Sequence, residues 1–380
     1  MNKKYRILLK ILAGFGKTII CVACILATLI VFGSFTSSGN AKESTAGEVS
    51  PNYGVVERYD KYMTNEFSDA LDGILSIKKV YWLRDEDQIA PEPNQACFGE
   101  TDDPKQMQAI IDKAQDLLDG QELKFSTDVV LRKGSKIQYY YDETILVITW
   151  KIVLDNSVYS LSEIKIADAS QFRRFLSDGK YGSGTKYLTR EMAETVNAVV
   201  AVNGDYYSMR QCGTIVQDGQ IKRLEGELMD SCYIDTNGDF NFVRLGKITK
   251  RPAMEQYIAE NNIRFSISFG PILVDEGKLV RIRSPYAVGE GGSHSPRAAL
   301  CQVDSLHYLI VLTSPEPPYT SGHTLTRFAQ RIAEMGVDKA YNLDGGRSGT
   351  LVMNDKLVNH VYERKISDIL YFATAISSGE

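Results

Sequence analysis

The sequence has few of the residues that metal centres and nucleic-acid interfaces need. Only four of its 380 residues are His and six are Cys. It has no HExxH motif, and beyond residue 35 no two cysteines have CxxC spacing. Zinc fingers, zinc ribbons and zincins are therefore not supported. Because 48 acidic residues outnumber 43 basic ones and give a net charge of −5, a dedicated nucleic-acid binder is also disfavoured.

What the chain does contain is typical of a folded globular protein. Hydrophobic residues make up 43% and charged residues 24% of the composition, which excludes wholesale disorder. The length of 380 residues suits one large domain or two ordinary ones.

The first long apolar run predicts a membrane anchor. Residues 18–35 (TIICVACILATLIVFGSF) carry no charge, and five basic residues precede them. A helix of this length spans about 27 Å, close to the hydrocarbon thickness of a bilayer. The run exceeds the usual hydrophobic region of a signal peptide and lacks a clear A-x-A site, so we favour an uncleaved anchor. The positive charges place residues 1–17 in the cytoplasm and the rest of the chain outside the cell membrane.

Composition divides the remainder into three parts. Residues 36–54 are predicted to be a flexible tether, 55–124 a helical front segment, and 125–380 the main domain. Within the front segment, 55–85 has a helical pattern and 86–104 is expected to be loop. Asp103 and Pro104 then begin a helix that ends before Gly120.

The main domain is predicted to be α+β, with a largely antiparallel or mixed sheet and a few packing helices. From about residue 125 the chain is dense in β-branched and aromatic residues, and turn signals such as QDG, TNGD and DEG separate the strands. Helices are expected at SQFRRFLSD, TREMAETVNA and TLTRFAQRIAEMG. Because strands and helices do not alternate regularly, a dinucleotide-binding fold is disfavoured.

The four cysteines of the predicted outer part leave two alternatives open. Cys97, Cys212, Cys232 and Cys301 form disulfides, for which three full pairings exist, or remain buried thiols. Cys212 and Cys232 flank a predicted hairpin and are the pair expected to meet.

The strongest candidate site is the stretch AYNLDGGRSGT, residues 340–350. Asn342 and Asp344 follow a buried strand, a place where polar side chains commonly line a site. Gly345 and Gly346 allow close backbone approach to a ligand and are candidates for an anion-binding nest. Arg347 is a candidate phosphate clamp, with a side chain that points to solvent as the equal alternative, and Ser348 adds a hydroxyl group. The alternative interpretation is that DGG is only a tight turn.

Two further stretches offer charged and polar groups near strand ends. VNGDYYSMR supplies Asn203, Gly204, Asp205, Tyr206 and Arg210 directly after the apolar strand AVVAV. A hairpin turn is the alternative for this stretch.

The Gly-rich loop GEGGSHS carries His294 and Arg297 to the start of a buried strand. Arg297 suits bidentate binding of a phosphodiester, and a His is a natural proton carrier near neutral pH. His323 lies near the start of a helix, where an anion site or a simple cap is expected.

Taken together, these motifs resemble the phosphodiester glycosidase family. The resemblance covers about residues 190–360 and is carried in order by AVNGDYY, FGPILVDEGKL, SPRAAL and SGHTLTRFAQRIAEMGVDKAYNLDGGRSGTLVMNDKLVN. The chain departs from the family pattern at three positions. Asp205 replaces a second Gly, Ala298 replaces a Thr, and Arg347 replaces a Gly.

The resemblance implies hydrolysis of a sugar-1-phosphodiester at the anomeric C–O bond, in cell-surface or exopolysaccharide glycans. Asp205 and Asp344 would then be the catalytic carboxylates, with Arg297 and His294 beside them. Substrate contacts would come from the other candidates: Asn203, Gly204, Tyr206, Arg210, Asn342, Gly345, Gly346, Arg347, Ser348 and His323.

Two other functions remain open from the sequence. One is a non-catalytic glycan-binding or wall-binding protein, and the other is an anchored assembly protein. No cofactor is expected: Asp and Asn at strand ends are compatible with Ca²⁺, but no EF-hand-like loop supports it. The expected partners are the glycan substrate and the membrane, with no nucleic acid and no identifiable protein partner.

Overall fold

The computed structural model describes residues 89–205, 207–210, 212–225, 229–283 and 292–376, and the backbone of two short strands at 55–56 and 80–81. No helix in these ranges is long and apolar enough to span a bilayer. Residues 18–35, for which a membrane anchor is predicted, lie outside them.

The described chain is dominated by antiparallel strands. In chain order they are β1 (Val55–Val56), β2 (Val80–Tyr81), β3 (Phe98–Thr101), β4 (Ile137–Tyr141), β5 (Ile145–Leu154), β6 (Ser157–Ile166), β7 (Phe172–Leu176), β8 (Val200–Asn203), β9 (Gly213–Gln217), β10 (Gln220–Glu225), β11 (Ser231–Asp235), β12 (Phe240–Val243), β13 (Ile263–Ile267), β14 (Ile272–Asp275), β15 (Lys278–Leu279), β16 (Arg297–Asp304), β17 (His307–Ser314), β18 (Lys339–Leu343), β19 (Leu351–Met353), β20 (Lys356–Leu357) and β21 (Asp368–Phe372).

Within the described ranges, five α-helices accompany the strands. They are α1 (Gln108–Lys113), α2 (Gln115–Leu118), α3 (Thr189–Thr195), α4 (Arg251–Glu260) and α5 (Leu325–Glu334). The predicted helix after Asp103 is present but interrupted: a 3₁₀ turn over Pro104–Met107 precedes α1, and Ala114 separates α1 from α2.

Two large sheets form the centre of the fold. The larger has nine strands in the order β15-β14-β18-β16-β17-β6-β5-β4-β3, and the smaller has five in the order β20-β19-β8-β21-β7. Strands β12-β11-β13 form a third sheet, and β10 pairs with β9. Every strand pair is antiparallel, as the short turn signals in the sequence predict.

Alternating side chains on the nine-stranded sheet fill two separate cores. Leu300 of β16 and Ile310 of β17 face the core shared with the five-stranded and three-stranded sheets. Their neighbours Cys301 and Val311 face the core covered by α1, α2 and α5. Helix α3 packs on the outer face of the five-stranded sheet, and α4 packs on β11 and β13. The predicted α+β class is confirmed in its sheet-dominated form.

Two local predictions were wrong. SQFRRFLSD forms strand β7 between two 3₁₀ turns, and β7 pairs with β21 along its whole length. The spacing of Phe172 and Phe175 mimics a helical face, but stacking of Phe172 on Phe372 at 4.6 Å holds the segment in the sheet. Residues 98–101, expected to be loop, form the edge strand β3.

The predicted helix at 55–85 is described only at its ends. There β1 and β2 pair as antiparallel strands, and the residues between them lie outside the described ranges.

Candidate functional site

Two of the motifs identified in the sequence meet at one end of the nine-stranded sheet. Strand β18 ends at Leu343, opposite Ala298 near the start of β16, so Asp344 and Arg297 are the next residues in that register. Strand β8 ends nearby, because the side-chain amide of Asn203 donates to the backbone oxygen of Asp344 at 2.8 Å. The side-chain oxygen of Asn203 also accepts from the backbone N–H of Thr350 at 3.2 Å. Asn203 therefore joins the NGD turn to the DGG turn.

Asp344 presents the carboxylate of this junction. Its side chain is 13% exposed, and Arg364 Nη2 donates to its Oδ2 at 2.7 Å. Burial raises the pKa of Asp344, while bonding to Ser348 and the positive charges of Arg364 and Arg210 oppose that rise. The result is a carboxyl group that takes up a proton at higher pH than a free Asp, in a place that still reaches solvent.

The two glycines after Asp344 bring the turn against the loop that precedes β16. A Cβ atom on Gly345 would lie 2.5 Å from the backbone oxygen of Pro296, which is too close for any other residue. Gly346 has φ +58° and its N–H donates to the same oxygen at 3.1 Å. The N–H of Ser348 is also used inside the turn. These N–H groups serve packing, so the geometry favours the turn interpretation over an anion nest.

The arginine beside Asp344 is not the one in the DGG turn. Arg347 is exposed, as one of its two alternatives expects, and lies over the ring of Tyr362 at 4.6 Å. Its Nε donates to the backbone oxygen of Tyr362. The guanidinium that contacts Asp344 belongs instead to Arg364, which also bonds the hydroxyl of Ser348. Arg364 was not identified from the sequence, since nothing in YERKIS marks it.

Asp205 lies in a fully buried ionic cluster. Arg174 Nη2 lies 3.1 Å from Asp205 Oδ1 and 2.7 Å from Asp368 Oδ2, and all three side chains are at most 1% exposed. Asp205 also accepts from the backbone N–H groups of Tyr207 and Ser268, each at 2.9 Å. Both of its carboxylate oxygens are thus occupied from the protein interior. This arrangement suits a residue that positions the NGD turn rather than one that meets a substrate.

The same cluster explains the glycine of the NGD turn. A Cβ atom on Gly204 would collide with the carboxylate of Asp368, and the N–H of Gly204 donates to the backbone oxygen of Asp368 at 3.0 Å. Burial raises the pKa of Asp368, and the negative charge of Asp205 adds to the rise while Arg174 opposes it. Neither Arg174 nor Asp368 was identified from the sequence, because Arg174 lies in the segment expected to be helical.

Arg297 links the Gly-rich loop to the start of α5. Its Nε donates to the backbone oxygen of His323 at 3.0 Å and its Nη2 to that of Ser293 at 2.7 Å. Ser295 and His323 exchange two backbone hydrogen bonds, at 3.3 and 3.2 Å. Arg297 is therefore held at the predicted position beside Asp344, with part of its donor capacity used by these loops.

The two candidate histidines have opposite environments. His294 is exposed on the Gly-rich loop. His323 is 3% exposed, and its ring lies 5.4 Å from that of Tyr159. Burial lowers the pKa of His323, so its imidazole is neutral at neutral pH. Within the described ranges, its Nε2 and the hydroxyl of Tyr159 have no hydrogen-bond partner. Buried polar groups without a hydrogen-bond partner are uncommon in folded proteins.

The remaining candidates lie around the same junction or outside the described residues. Asn342 donates to the backbone oxygen of Gly270 at 2.8 Å, whereas its own side-chain oxygen is buried without a partner in the described chain. The guanidinium of Arg210 lies 4.2 Å from the ring centre of Phe269. Its positive charge acts on Asp344 and lowers the pKa of that carboxyl group. Tyr206 lies outside the described ranges.

The structure also shows how the cysteines and the other side chains that could bind a metal ion are arranged. All four described cysteines are free thiols, which is one of the two alternatives left open by the sequence. Cys232 and Cys301 are buried, and Cys212 contacts the sulfur of Met229 rather than Cys232. Across the described ranges, no three His, Cys, Asp or Glu side chains are grouped closely enough to hold a metal ion.

One family model matches the part of the chain that contains this junction. The model of the phosphodiester glycosidase family matches residues 196–373, which run from just before β8 to the end of β21. The matched range contains Asp205, Arg297, Asp344 and Arg364. No curated protein matches the sequence significantly.

Three solved structures resemble this chain at low sequence identity. A hypothetical protein from Synechocystis superposes with a TM-score of 0.51 at 13% identity, over 63% of this chain and 64% of that protein. The catalytic domain of zebrafish N-acetylglucosamine-1-phosphodiester alpha-N-acetylglucosaminidase, auto-inhibited by its pro-peptide, gives 0.47 at 19% identity, over 68% of this chain and 93% of that domain. An exported protein from Burkholderia pseudomallei K96243 gives 0.41 at 13% identity, over 57% and 74%.

Proposed function

We propose that this chain, whose residues 196–373 belong to the phosphodiester glycosidase family, hydrolyses sugar-1-phosphodiesters. The reaction breaks the bond between the anomeric carbon and the phosphate oxygen. Water supplies a hydroxyl group to the sugar and a proton to the solution, and the phosphate leaves as a monoester. The observation that carries this proposal is the desolvated carboxylate of Asp344, held by Arg364 where family-matched segments converge.

Asp344 is suited to act on the sugar side of the scissile bond. A phosphate monoester is a good leaving group, so the demanding part of the reaction is activation of water and stabilisation of positive charge at the anomeric carbon. A carboxylate with a raised pKa accepts a proton from water more readily than an ordinary Asp. The bond from Arg364 fixes one oxygen of this carboxylate.

Arginines beside Asp344 are suited to stabilise the departing phosphate. The charge of Arg210 reaches Asp344, and stacking on Phe269 orients its guanidinium group. Arg297 holds the Gly-rich loop against α5 and adds positive charge at the start of β16. Positive charges fixed near a departing phosphate stabilise the transition state without reorganisation.

Asp205 has a different role from Asp344. Its two oxygens are engaged by Arg174, Tyr207 and Ser268, so it holds the NGD turn in place. Through Asn203, that turn fixes the backbone of Asp344. We therefore assign Asp205 a positioning role and Asp344 the catalytic one.

The natural substrate class follows from the predicted location. The basic residues before the apolar run 18–35 favour an outer location for the folded part, where cell-surface or exopolysaccharide glycans occur. Fusion of a reporter active only outside the cytoplasm to the chain after residue 376 tests this topology. An inactive reporter fusion, with the chain itself expressed, would exclude it.

A direct test uses the full-length chain with a panel of sugar-1-phosphodiesters, beside the Asp344→Asn variant. We expect free reducing sugar from at least one substrate with the unmodified chain, and a loss of roughly 100-fold or more in the variant, as for removal of an acid–base group. Saturable sugar binding by both proteins, without release of reducing sugar by either, would instead support a glycan-binding protein.

A further inference from the structure

Beyond the apolar run 18–35, two short stretches of the chain carry several basic residues and no carboxylate. RLGKITKR, residues 244–251, has four basic residues and no carboxylate. KLVRIR, residues 278–283, has three basic residues and no carboxylate. Because the whole chain has a net charge of −5, this clustering is not a consequence of overall composition.

The fold brings the two stretches together. Arg244, Arg281 and Arg283 line one cleft of about 570 Å³ together with Ile282. Arg244 lies 3.4 Å from Asp275. Arg281 and Arg283 are exposed, and neither forms an ion pair with any residue in the described ranges. We call Arg244, Arg281 and Arg283 the arginine cleft.

The arginine cleft lies beside the candidate site along the sheet edge. Strand β14 pairs with β18, and the backbone oxygen of Pro271, just before β14, accepts from the N–H of Asn342 at 3.1 Å. Strand β15 runs back along β14, and Val280 continues the pairing by donating to Leu273 at 2.8 Å. The chain from Val280 to Arg283 therefore runs towards the end of β14 that adjoins Asn342, two residues before Asp344.

An arginine cleft in this position suits a substrate that carries more than one phosphate. Guanidinium groups bind phosphodiester oxygens in bidentate fashion and remain charged at every physiological pH. A single sugar-1-phosphodiester has one phosphate, which the candidate site already accounts for. A chain of sugars joined through phosphodiesters has a further phosphate in each repeat, outside that site.

We propose that the arginine cleft binds phosphates of a polyanionic glycan whose sugars are joined by phosphodiester bonds, while one such bond occupies the site at Asp344. That the bound polyanion is a glycan rests on the proposed function. That the cleft binds a linear chain of phosphates does not rest on it. An anionic membrane surface is the alternative that the experiment must separate.

The test compares two double variants of the full-length chain. Arg281→Ser/Arg283→Ser removes two charges from the cleft. Lys105→Ser/Lys113→Ser removes two exposed charges near α1 and serves as the matched control. Binding of long-chain inorganic polyphosphate, of orthophosphate, and of phosphatidylglycerol vesicles is measured for each at several salt concentrations.

We expect the unmodified chain and the Lys control to bind polyphosphate with salt-dependent affinity and to bind orthophosphate far more weakly. The cleft variant should bind polyphosphate about tenfold more weakly, with a smaller salt dependence. On substrates, it should raise KM for a polymeric glycosyl phosphate and leave kcat and KM for a monomeric phosphodiester unchanged.

Equal polyphosphate binding by all three proteins would overturn the proposal. Loss of vesicle binding alone in the cleft variant would overturn it in favour of a lipid surface. Polyphosphate binding that depends on the cleft, in a protein that hydrolyses no sugar phosphodiester, would remove the proposed function and leave the polyanion site standing.

Discussion

Arg364 Nη2 donates to Asp344 Oδ2 at 2.7 Å, although the two residues are 20 positions apart in the chain. The same guanidinium bonds the hydroxyl of Ser348, so it fixes both the carboxylate and the turn that follows it. Arg347, directly inside the DGGRSG turn, points away to Tyr362. A residue outside the recognisable motif thus orients the group that we place at the centre of the chemistry.

Replacing Arg364 with Gln should shift the acid limb of the pH–activity profile to higher pH. The charge and hydrogen bond of Arg364 lower the pKa of Asp344, so their loss lets that pKa rise further. The ionised form of Asp344 then forms only at higher pH. With about one-third of Arg364 exposed, solvent screening limits the effect to roughly 1 kcal/mol, or about fivefold in kcat/KM on the acid side. Arg347→Gln is the matched control and should leave the profile unchanged.

Replacing Asp344 with Asn should lower activity by roughly 100-fold or more and raise stability at neutral pH. The pKa of this carboxyl is raised in the folded state, so the group stabilises the fold most below its unfolded pKa and loses that contribution as pH rises through the folded value. Asn cannot ionise, so the variant has no charged form of this buried side chain. We expect an increase of roughly 0.5–2 kcal/mol at pH 7. Urea unfolding at pH 7 and pH 3 measures it; an equal gain at both pH values would contradict this explanation.

The buried cluster of Arg174, Asp205 and Asp368 should respond unequally to loss of its members. Arg174→Leu leaves two buried carboxylates without their cation and should cost about 3–5 kcal/mol in unfolding free energy. Asp368→Asn leaves Arg174 paired with Asp205 and should cost clearly less. Chemical denaturation of both variants provides the comparison. Equal losses would mean that the cluster acts through packing rather than charge.

Protonation of His323 should destabilise the fold at acid pH. Burial lowers the pKa of this imidazole below its ordinary value, so its contribution to stability is present above pH 6.5 and is lost as pH falls through the folded value. His323→Gln should therefore reduce the loss of thermal stability between pH 7 and pH 5. His294→Gln, at an exposed position, is the control and should leave the pH dependence as it is.

Local sequence signals predicted most of the fold that surrounds the site. Apolar runs ending in polar residues located β8, β16 and β18, and short Gly-containing turns predicted antiparallel pairing. Met107, Ala114 and Leu118, within the helix predicted after Asp103, pack on the large sheet. These features depend on periodicity and turn chemistry, which residues close together in the sequence determine.

The parts that were missed depend on contacts between distant residues. Strand β7 has an FRRF pattern compatible with a helix, and only pairing with β21 selects the extended form. Arg174 and Asp368 are 194 positions apart, and no local pattern pairs them. The fully buried state of Asp205 follows from that pairing, so the sequence alone favoured it as a catalytic carboxylate on equal terms with Asp344.

In the proposed reaction, water attacks the sugar carbon rather than phosphorus. Hydrolysis of a sugar-1-phosphodiester by the full-length chain in ¹⁸O-labelled water, followed by mass spectrometry of both products, tests it directly. We predict one ¹⁸O atom in the released sugar and none in the phosphate monoester, with both products lost in the Asp344→Asn variant. Label in the phosphate would show cleavage of the P–O bond and would contradict the glycosidase account.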